Sequence, residues 1–225
     1  MDTARQSARQ GAPEGTVFIA GEQTGGRGRM KRNWLSPEGN IAMSVILYPG
    51  LASLPYLIMI ASLAVVHSIE SNTGLKAQVK WPNDILIDGK KVCGILIENE
   101  VKGNKVAFSI VGIGININLK VADYSEISST AMSLKSNSVN DFRIKILQSL
   151  LTEFERLYLR LPDSKPIYES WRDRLVTLGK EVRATSGSQT TEGVAETVDE
   201  SGALVIRKTD GTLIKVVAGD VTLRG

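Results

Sequence analysis

At 225 residues, with 42% hydrophobic and 23% charged side chains, the chain can bury a core without staples and is too apolar to be disordered. Its net charge of +3 is interspersed except at Arg27–Arg32, so no extended nucleic-acid footprint exists. The single cysteine excludes a disulfide framework, and the single histidine leaves little room for histidine-based acid–base or metal chemistry.

The first strand signal covers residues 16–20. After it, Gly21, Gly25, Gly26 and Gly28 fall within eight residues, Arg27, Arg29, Lys31 and Arg32 within six, and Trp34 closes the run. Glycines allow close backbone approach, successive amides form anion-binding concavities, and arginine forks match phosphate or carboxylate. The run therefore reads as a loop built to hold a polyanion, against a solvated Gly/Arg loop as the plain alternative. No Gly-Lys-Ser/Thr follows, which excludes a Walker loop, and no helical pattern follows, which excludes a dinucleotide fingerprint.

A strand is expected at 40–48 and a helix at 51–73, with Ser53 as N-cap and Pro55 in its first turn. Apolar residues cover most of that helix's circumference, which predicts burial. The stretch 51–66 is broken by Ser53, Pro55, Tyr56 and Ser62, so no apolar run is expected to reach membrane-spanning length. The only histidine, His67, reads as structural. Lys80-Trp81-Pro82-Asn83-Asp84 is a stiff segment, because proline fixes its own φ and biases Trp81 toward extended geometry. Asp88-Gly89 is a hairpin signal between two apolar runs. Cys93 reads as a small buried residue. The run from Val106 is apolar on both faces, as in a covered sheet, and ends at Gly112-Ile113-Gly114-Ile115-Asn116. Glycines there suggest close approach of another group.

Further on, residues 141–161 predict a helix with Leu147, Leu150, Leu151, Phe154, Leu157 and Leu161 on one stripe. A short helix is expected at 167–174, with Trp171 packing inward. From about Leu178 the pattern changes to short strands at 180–184, 190–197, 203–208 and 212–217, joined by Gly- or Asp-rich turns, which suggests a small barrel. Two units are expected, 1–177 and 178–225.

Taken together and in order, Gln23, Gly26-Arg27-Gly28-Arg29, Trp34, Lys80-Trp81-Pro82-Asn83-Asp84, Gly94-Ile95-Leu96, Gly112-Ile113-Gly114-Ile115-Asn116 and the tail Gly219-Asp220-Val221-Thr222-Leu223-Arg224 resemble biotin protein ligases. The resemblance implies an α+β fold: a mixed-sheet catalytic domain with packed helices, like class II synthetases, and an SH3-like β-barrel. It implies an enzyme that activates biotin with ATP, accompanied by Mg2+, to biotinyl-5′-AMP and passes the biotinyl group to a lysine of a biotin carboxyl carrier protein domain. No helix-turn-helix precedes the catalytic part, which resembles the short class that does not bind DNA. The expectation is a cytoplasmic protein with no membrane partner, in a family whose members are often homodimers.

The same resemblance implies residue roles. Lys80 and Arg27 are the candidate catalytic groups, with Lys80 bridging the biotin carboxylate and the α-phosphate. Gln23, Gly26, Arg27, Gly28, Arg29, Lys80 and Gly94 are expected to hold biotin. Arg29, Arg32, Trp34, Asn83, Lys91 and Asn116 are expected to hold ATP or the adenylate, with Asn116 at the adenine edge and Trp34 stacked on it. Asp84 is the candidate metal ligand, with a turn-structuring role as its alternative. The family's Ser-Thr pair ahead of the first helix would fall just before Met1-Asp2-Thr3. The expectation is therefore a truncated start or a weakened biotin pocket. Two other readings stand beside this one: a lipoate-type protein ligase, whose Arg-Arg-x-Ser-Gly-Gly-Gly signature is absent, and a non-enzymatic biotin- or nucleotide-binding module. Nucleic-acid binding through Arg27–Arg32 is a third, against which the motif order argues.

Overall fold

The structure is a computed structural model that describes residues 1–134 and 138–224; Gly225, the end of the expected second unit, lies outside them. A six-stranded sheet runs in the order β1-β2-β6-β5-β4-β3. Its strands are β1 (Val17–Ala20), β2 (Ile41–Leu47), β3 (Gln78–Lys80), β4 (Asp84–Ile87), β5 (Lys90–Lys102) and β6 (Lys105–Ile115). Every ladder is antiparallel. The mixed character expected of this sheet is confined, among the described residues, to two isolated parallel bridges, Val79 with Leu175 and Lys91 with Ala131.

All seven residues of β2 are buried, and β6 is buried from Phe108 onward, as central strands covered on both faces require. Side chains alternate between the faces. On one face Met43, Val45, Leu47, Val111, Ile113 and Ile115 meet α2 (Leu54–Thr73), α3 (Val139–Tyr158) and α4 (Lys165–Arg172) in the main core. On the other face Ile46, Phe108 and Ile110 pack under the short helix α1 (Asp2–Arg9) through Ala4 and Ala8. Continuing β6 along that second face gives Gly112 and Gly114, which have no side chain to pack. The side chains nearest these two glycines among the described residues are Met1 on Gly112 and Trp34 on Gly114, and the candidate cleft opens beside them.

Helix α2 begins after Ser53, carries Pro55 in its first turn and ends at Gly74, whose φ of 71° closes the helix in the left-handed region. Its length and apolar composition would alone suit a membrane crossing, contrary to the expectation from sequence that no run reaches that length. Burial of residues such as Leu57, Ile60, Leu63, Val66 and Ile69 makes it the core helix instead. Each fully buried Leu or Ile contributes about 1.5–3 kcal/mol. His67 near its end pairs through Nδ1 with Glu153 of α3 at 3.3 Å.

The second sheet runs β10-β9-β8-β7-β11, again antiparallel. Its strands are β7 (Glu181–Ser186), β8 (Gln189–Val198), β9 (Leu204–Arg207), β10 (Leu213–Val216) and β11 (Asp220–Arg224). Val182, Ala195, Leu204, Ile206 and Val221 belong to the same buried cluster as α2 and α4, so the two sheets share one core. Polar ties reinforce the junction. The Trp81 amide donates to Thr177 Oγ1 at 2.9 Å, the Trp81 indole N–H donates to the Gly202 carbonyl at 2.9 Å, and Tyr168 Oη donates to the Val198 carbonyl at 2.7 Å.

Candidate functional site

A cleft of about 300 Å³ opens on the face of the first sheet that carries Gly112 and Gly114. Its roof is the Gly/Arg segment, folded as an irregular hairpin. The Gln23 amide donates to the Ser36 carbonyl at 2.9 Å, the Trp34 amide to the Gly26 carbonyl at 2.9 Å, and the Gly28 amide to the Arg32 carbonyl at 2.7 Å. Met30 sits at the tip with φ 53°. A side chain at Gly26 would run into the Trp34 carbonyl, so the close approach of the hairpin's two arms requires glycine there.

The floor is built by register. Gly94 of β5 stands opposite Gly114 of β6, and Leu96 opposite Gly112. A methyl group on Gly114 would lie 2.5 Å from the Trp34 ring, and one on Gly94 would lie 3.0 Å from it. The indole thus packs against two glycines, and its buried Nε1 has no hydrogen-bond partner among the described residues. Lys91 Nζ sits 5.5 Å from the centroid of that ring, a cation–π contact, and pairs with Asp84 Oδ1 at 2.6 Å. Asp84 opposes Gly94 directly in the β4–β5 ladder, which brings Asp84, Lys91, Gly94 and Trp34 together.

Five cationic side chains, Arg27, Arg29, Arg32, Lys80 and Lys91, line the cleft against two carboxylates, Asp84 and Asp220. Arg27 pairs with Asp2 and Arg32 with Asp220, the latter at 2.6 Å. Arg29 donates through Nη1 to Asn83 Oδ1 at 3.2 Å and through Nη2 to the Gly219 carbonyl at 3.0 Å. Burial lowers its pKa from the ordinary arginine value, and the nearby charges of Asp220 and Asp84 act the other way. Lys80 stands opposite Asp84 in the β3–β4 ladder but makes no ion pair among the described residues, since Asp84 is engaged by Lys91. Cys93, behind Gly94, is fully buried, and burial pushes its thiol pKa far up, so it is not a nucleophile.

The structure gathers Gln23, Arg27, Gly28, Arg29, Arg32, Trp34, Lys80, Asn83, Asp84, Lys91 and Gly94 at this cleft. It does not bring Gly26 or Asn116 there. Gly26 lines a second cavity of about 350 Å³ behind the hairpin, which shares Gln23, Asn33 and Trp34 with the first. Asn116 is 3% exposed, its Nδ2 donates to the Met132 carbonyl at 3.2 Å, and its Oδ1 has no partner among the described residues. Among the described residues no cluster of three or more His, Cys, Asp or Glu side chains forms a metal cage. A lone carboxylate such as Asp84 fits a Mg2+ that arrives already bound by phosphates and water. Sequence reasoning missed the wall contributed by β11: Asp220, Val221 and Thr222 line the cleft some 190 residues away from Arg29. It missed Ser44 of β2 as well, which faces Gly112 across the ladder.

Residues 3–116 match the model of the biotin/lipoate A/B protein ligase family, and residues 177–224 match the biotin protein ligase C-terminal domain. The chain is 39% identical over 228 residues to the bifunctional ligase/repressor BirA of Bacillus spizizenii, covering 98% of this chain and 70% of that protein. It is 32% identical over 217 residues to the biotin–[acetyl-CoA-carboxylase] ligase of Paracoccus denitrificans, covering 92% of this chain and 90% of the other. The biotin protein ligase of Aquifex aeolicus, solved in complex with biotin and ATP, superposes with a TM-score of 0.77 at 28% identity, covering 99% of this chain and 94% of that one. The glycine floor, the Arg-rich hairpin and the second sheet that meets them are thus those of a member of the biotin/lipoate A/B protein ligase family, and this chain belongs to it.

Proposed function

We propose that the protein joins biotin to ATP, forming biotinyl-5′-AMP and pyrophosphate, and then transfers the biotinyl group to one lysine of a biotin carboxyl carrier protein domain. The observation that supports this reading best is the cleft itself, where five cationic side chains and Trp34 converge and Lys80 and Arg29 make no ion pair among the described residues. In the first step a biotin carboxylate oxygen attacks the α-phosphorus and pyrophosphate departs. Both reactants are anions, so the site must cancel their repulsion and then stabilise the charge that accumulates. In the second step the carrier lysine, as the free amine, attacks the acyl carbon, AMP leaves, and the amine gives up a proton. No covalent enzyme intermediate is required.

In this reading Lys80 and Lys91 approach the reacting carboxylate and phosphate from two sides. Lys91 is the better fixed of the two, being held by Asp84 and the Trp34 face. Arg27 and Arg29 neutralise the adenylate, Gln23 serves the polar ring of biotin, and Trp34, seated against Gly94 and Gly114, is the aromatic group for the ligand to stack on. Mg2+ bound to the nucleotide phosphates would meet Asp84 and offset their charge. Units 1–177 and 178–225 act as one catalytic body, with the second closing the cleft through Gly219–Thr222. A buried lone thiol suits a reducing, cytoplasmic setting.

The test is pyrophosphate release measured with ATP alone, biotin alone and both together. The reading requires release only with both. Biotin binding without any release would favour a binding module, and release driven by lipoate but not biotin would favour a lipoate-type ligase.

A further inference from the structure

Two carboxylates reach the cleft, and each is already engaged by a cation: Asp84 by Lys91 and Asp220 by Arg32. Arg29, a half-buried cation near both, is held differently. Both of its hydrogen bonds end on neutral acceptors, the Asn83 side-chain amide and the Gly219 carbonyl. Asn83 is in turn fixed, since its Nδ2 donates to the Ile95 carbonyl at 2.7 Å and its own carbonyl accepts from the Ile95 amide at 3.0 Å. Its Oδ1 is thereby turned toward Arg29. An amide orients a guanidinium without cancelling its charge, whereas a carboxylate at the same place would form an ion pair and spend that charge before any ligand arrives.

We propose that Asn83 is a positioning residue: it aims Arg29 into the cleft and, being neutral, leaves the arginine's charge free for the anionic substrate. The proposal rests on the adenylate-forming reading above and assigns Asn83 a role through Arg29 rather than a contact with the nucleotide. The neutrality of the pair is the functional feature. The Gly219 carbonyl, supplied by the second sheet, is the other neutral support.

The experiment compares Asn83→Ala, Asn83→Asp, Arg29→Lys and the double variant Asn83→Ala/Arg29→Lys. Three readouts are taken: biotin-dependent pyrophosphate release, ATP binding by calorimetry, and thermal melting. Asn83→Ala, which only loosens Arg29, is expected to slow release by about 10-fold, and Asn83→Asp, which cancels its charge, by about 100-fold, the low end of what losing one electrostatic contributor costs. Asn83→Asp keeps the acceptor facing Arg29 but also sets a carboxylate oxygen against the Ile95 carbonyl, so its slowing supports the charge argument only at an unchanged melting temperature and only if it is lost in the Arg29→Lys background. In the Arg29→Lys background, Asn83→Ala is expected to change the rate less than 2-fold, since its effect runs through Arg29. An equal fold-loss in both backgrounds, or Asn83→Asp no slower than Asn83→Ala at unchanged melting temperature, overturns the proposal. If the unaltered protein releases no pyrophosphate, the functional reading fails by itself. The same comparison on ATP affinity then decides whether Asn83 acts through Arg29.

Discussion

Gly94 and Gly114 face each other across the β5–β6 ladder, and the indole of Trp34 lies on the flat they leave. Gly114→Ala would put a methyl group 2.5 Å from that ring, inside any tolerable contact. The ring must move, and the roof with it. Gly114→Ala is expected to lower biotin-dependent pyrophosphate release at least about 10-fold, at a stability cost of about 1–3 kcal/mol. Gly94→Ala should be milder, because its methyl meets the nearest Trp34 ring atom at 3.0 Å rather than 2.5 Å and otherwise touches only the Lys91 side chain, at 3.3 Å. Steady-state rates and melting curves of the two variants check the order, and a harmless Gly114→Ala contradicts it.

Lys91→Ala removes a cation and also leaves Asp84 unopposed beside two anionic substrates. Lys80→Ala removes a cation that makes no ion pair among the described residues, although Asp84 stands opposite it in the ladder. Each is expected to slow adenylate formation by roughly 10²-fold or more, with Lys91→Ala the slower. Both lysines are partly exposed, so circular dichroism should show an unchanged fold. Single-turnover formation of the adenylate is the measurement, and near-normal turnover in either variant removes that lysine from the chemistry.

The Gly/Arg run, the stiff Lys80–Asp84 segment and the glycines of β6 were legible because each is a local departure from ordinary strand composition. So were α2 and α3, whose apolar patterns are long. What was hidden depends on contacts between distant parts of the chain. Helix α1 has only Ala4 and Ala8 to bury, too little periodicity to register. Asp220 and Gly219 look like an ordinary strand entry until Arg29 and Arg32 are found against them. Asn116 looks like a polar group at a site edge, yet β6 ends one residue earlier and leaves it bonded to Met132 inside the protein.

The shared core carries a prediction about truncation. A chain ending at Thr177 would uncover the α2–α4 surface that packs on Val182, Ala195, Leu204 and Val221, and would leave the Trp81 indole without Gly202. It is expected to be insoluble or molten, as read by expression and near-ultraviolet dichroism. A folded fragment would contradict the single core. Asp220→Asn offers the finer test: it should retain the fold while freeing Arg32, and limited proteolysis within 25–34 should quicken.

Acid should loosen the α2 end of the core. Glu70 accepts from Arg174 at 2.6 Å and from the Ala77 amide at 3.2 Å. Burial raises its pKa, but these bonds outweigh burial and hold it below the usual glutamate range. A carboxylate whose pKa is lower in the folded state stabilises fully above its unfolded pKa, and that contribution is lost as pH falls through the folded value. Glu70→Gln should therefore melt lower than the unaltered protein near neutral pH, and the gap should narrow as the medium is acidified below the ordinary glutamate pKa. A constant gap across that window contradicts the linkage.

The most direct test of the account is covalent modification of a carrier domain. The protein is incubated with ATP, Mg2+, biotin and a biotin carboxyl carrier protein domain, and the carrier is weighed by mass spectrometry and mapped by peptide. The account predicts one biotinyl group on one lysine, dependent on both ATP and biotin. A carrier of unchanged mass, in a mixture where biotin is bound and ATP is intact, would contradict it.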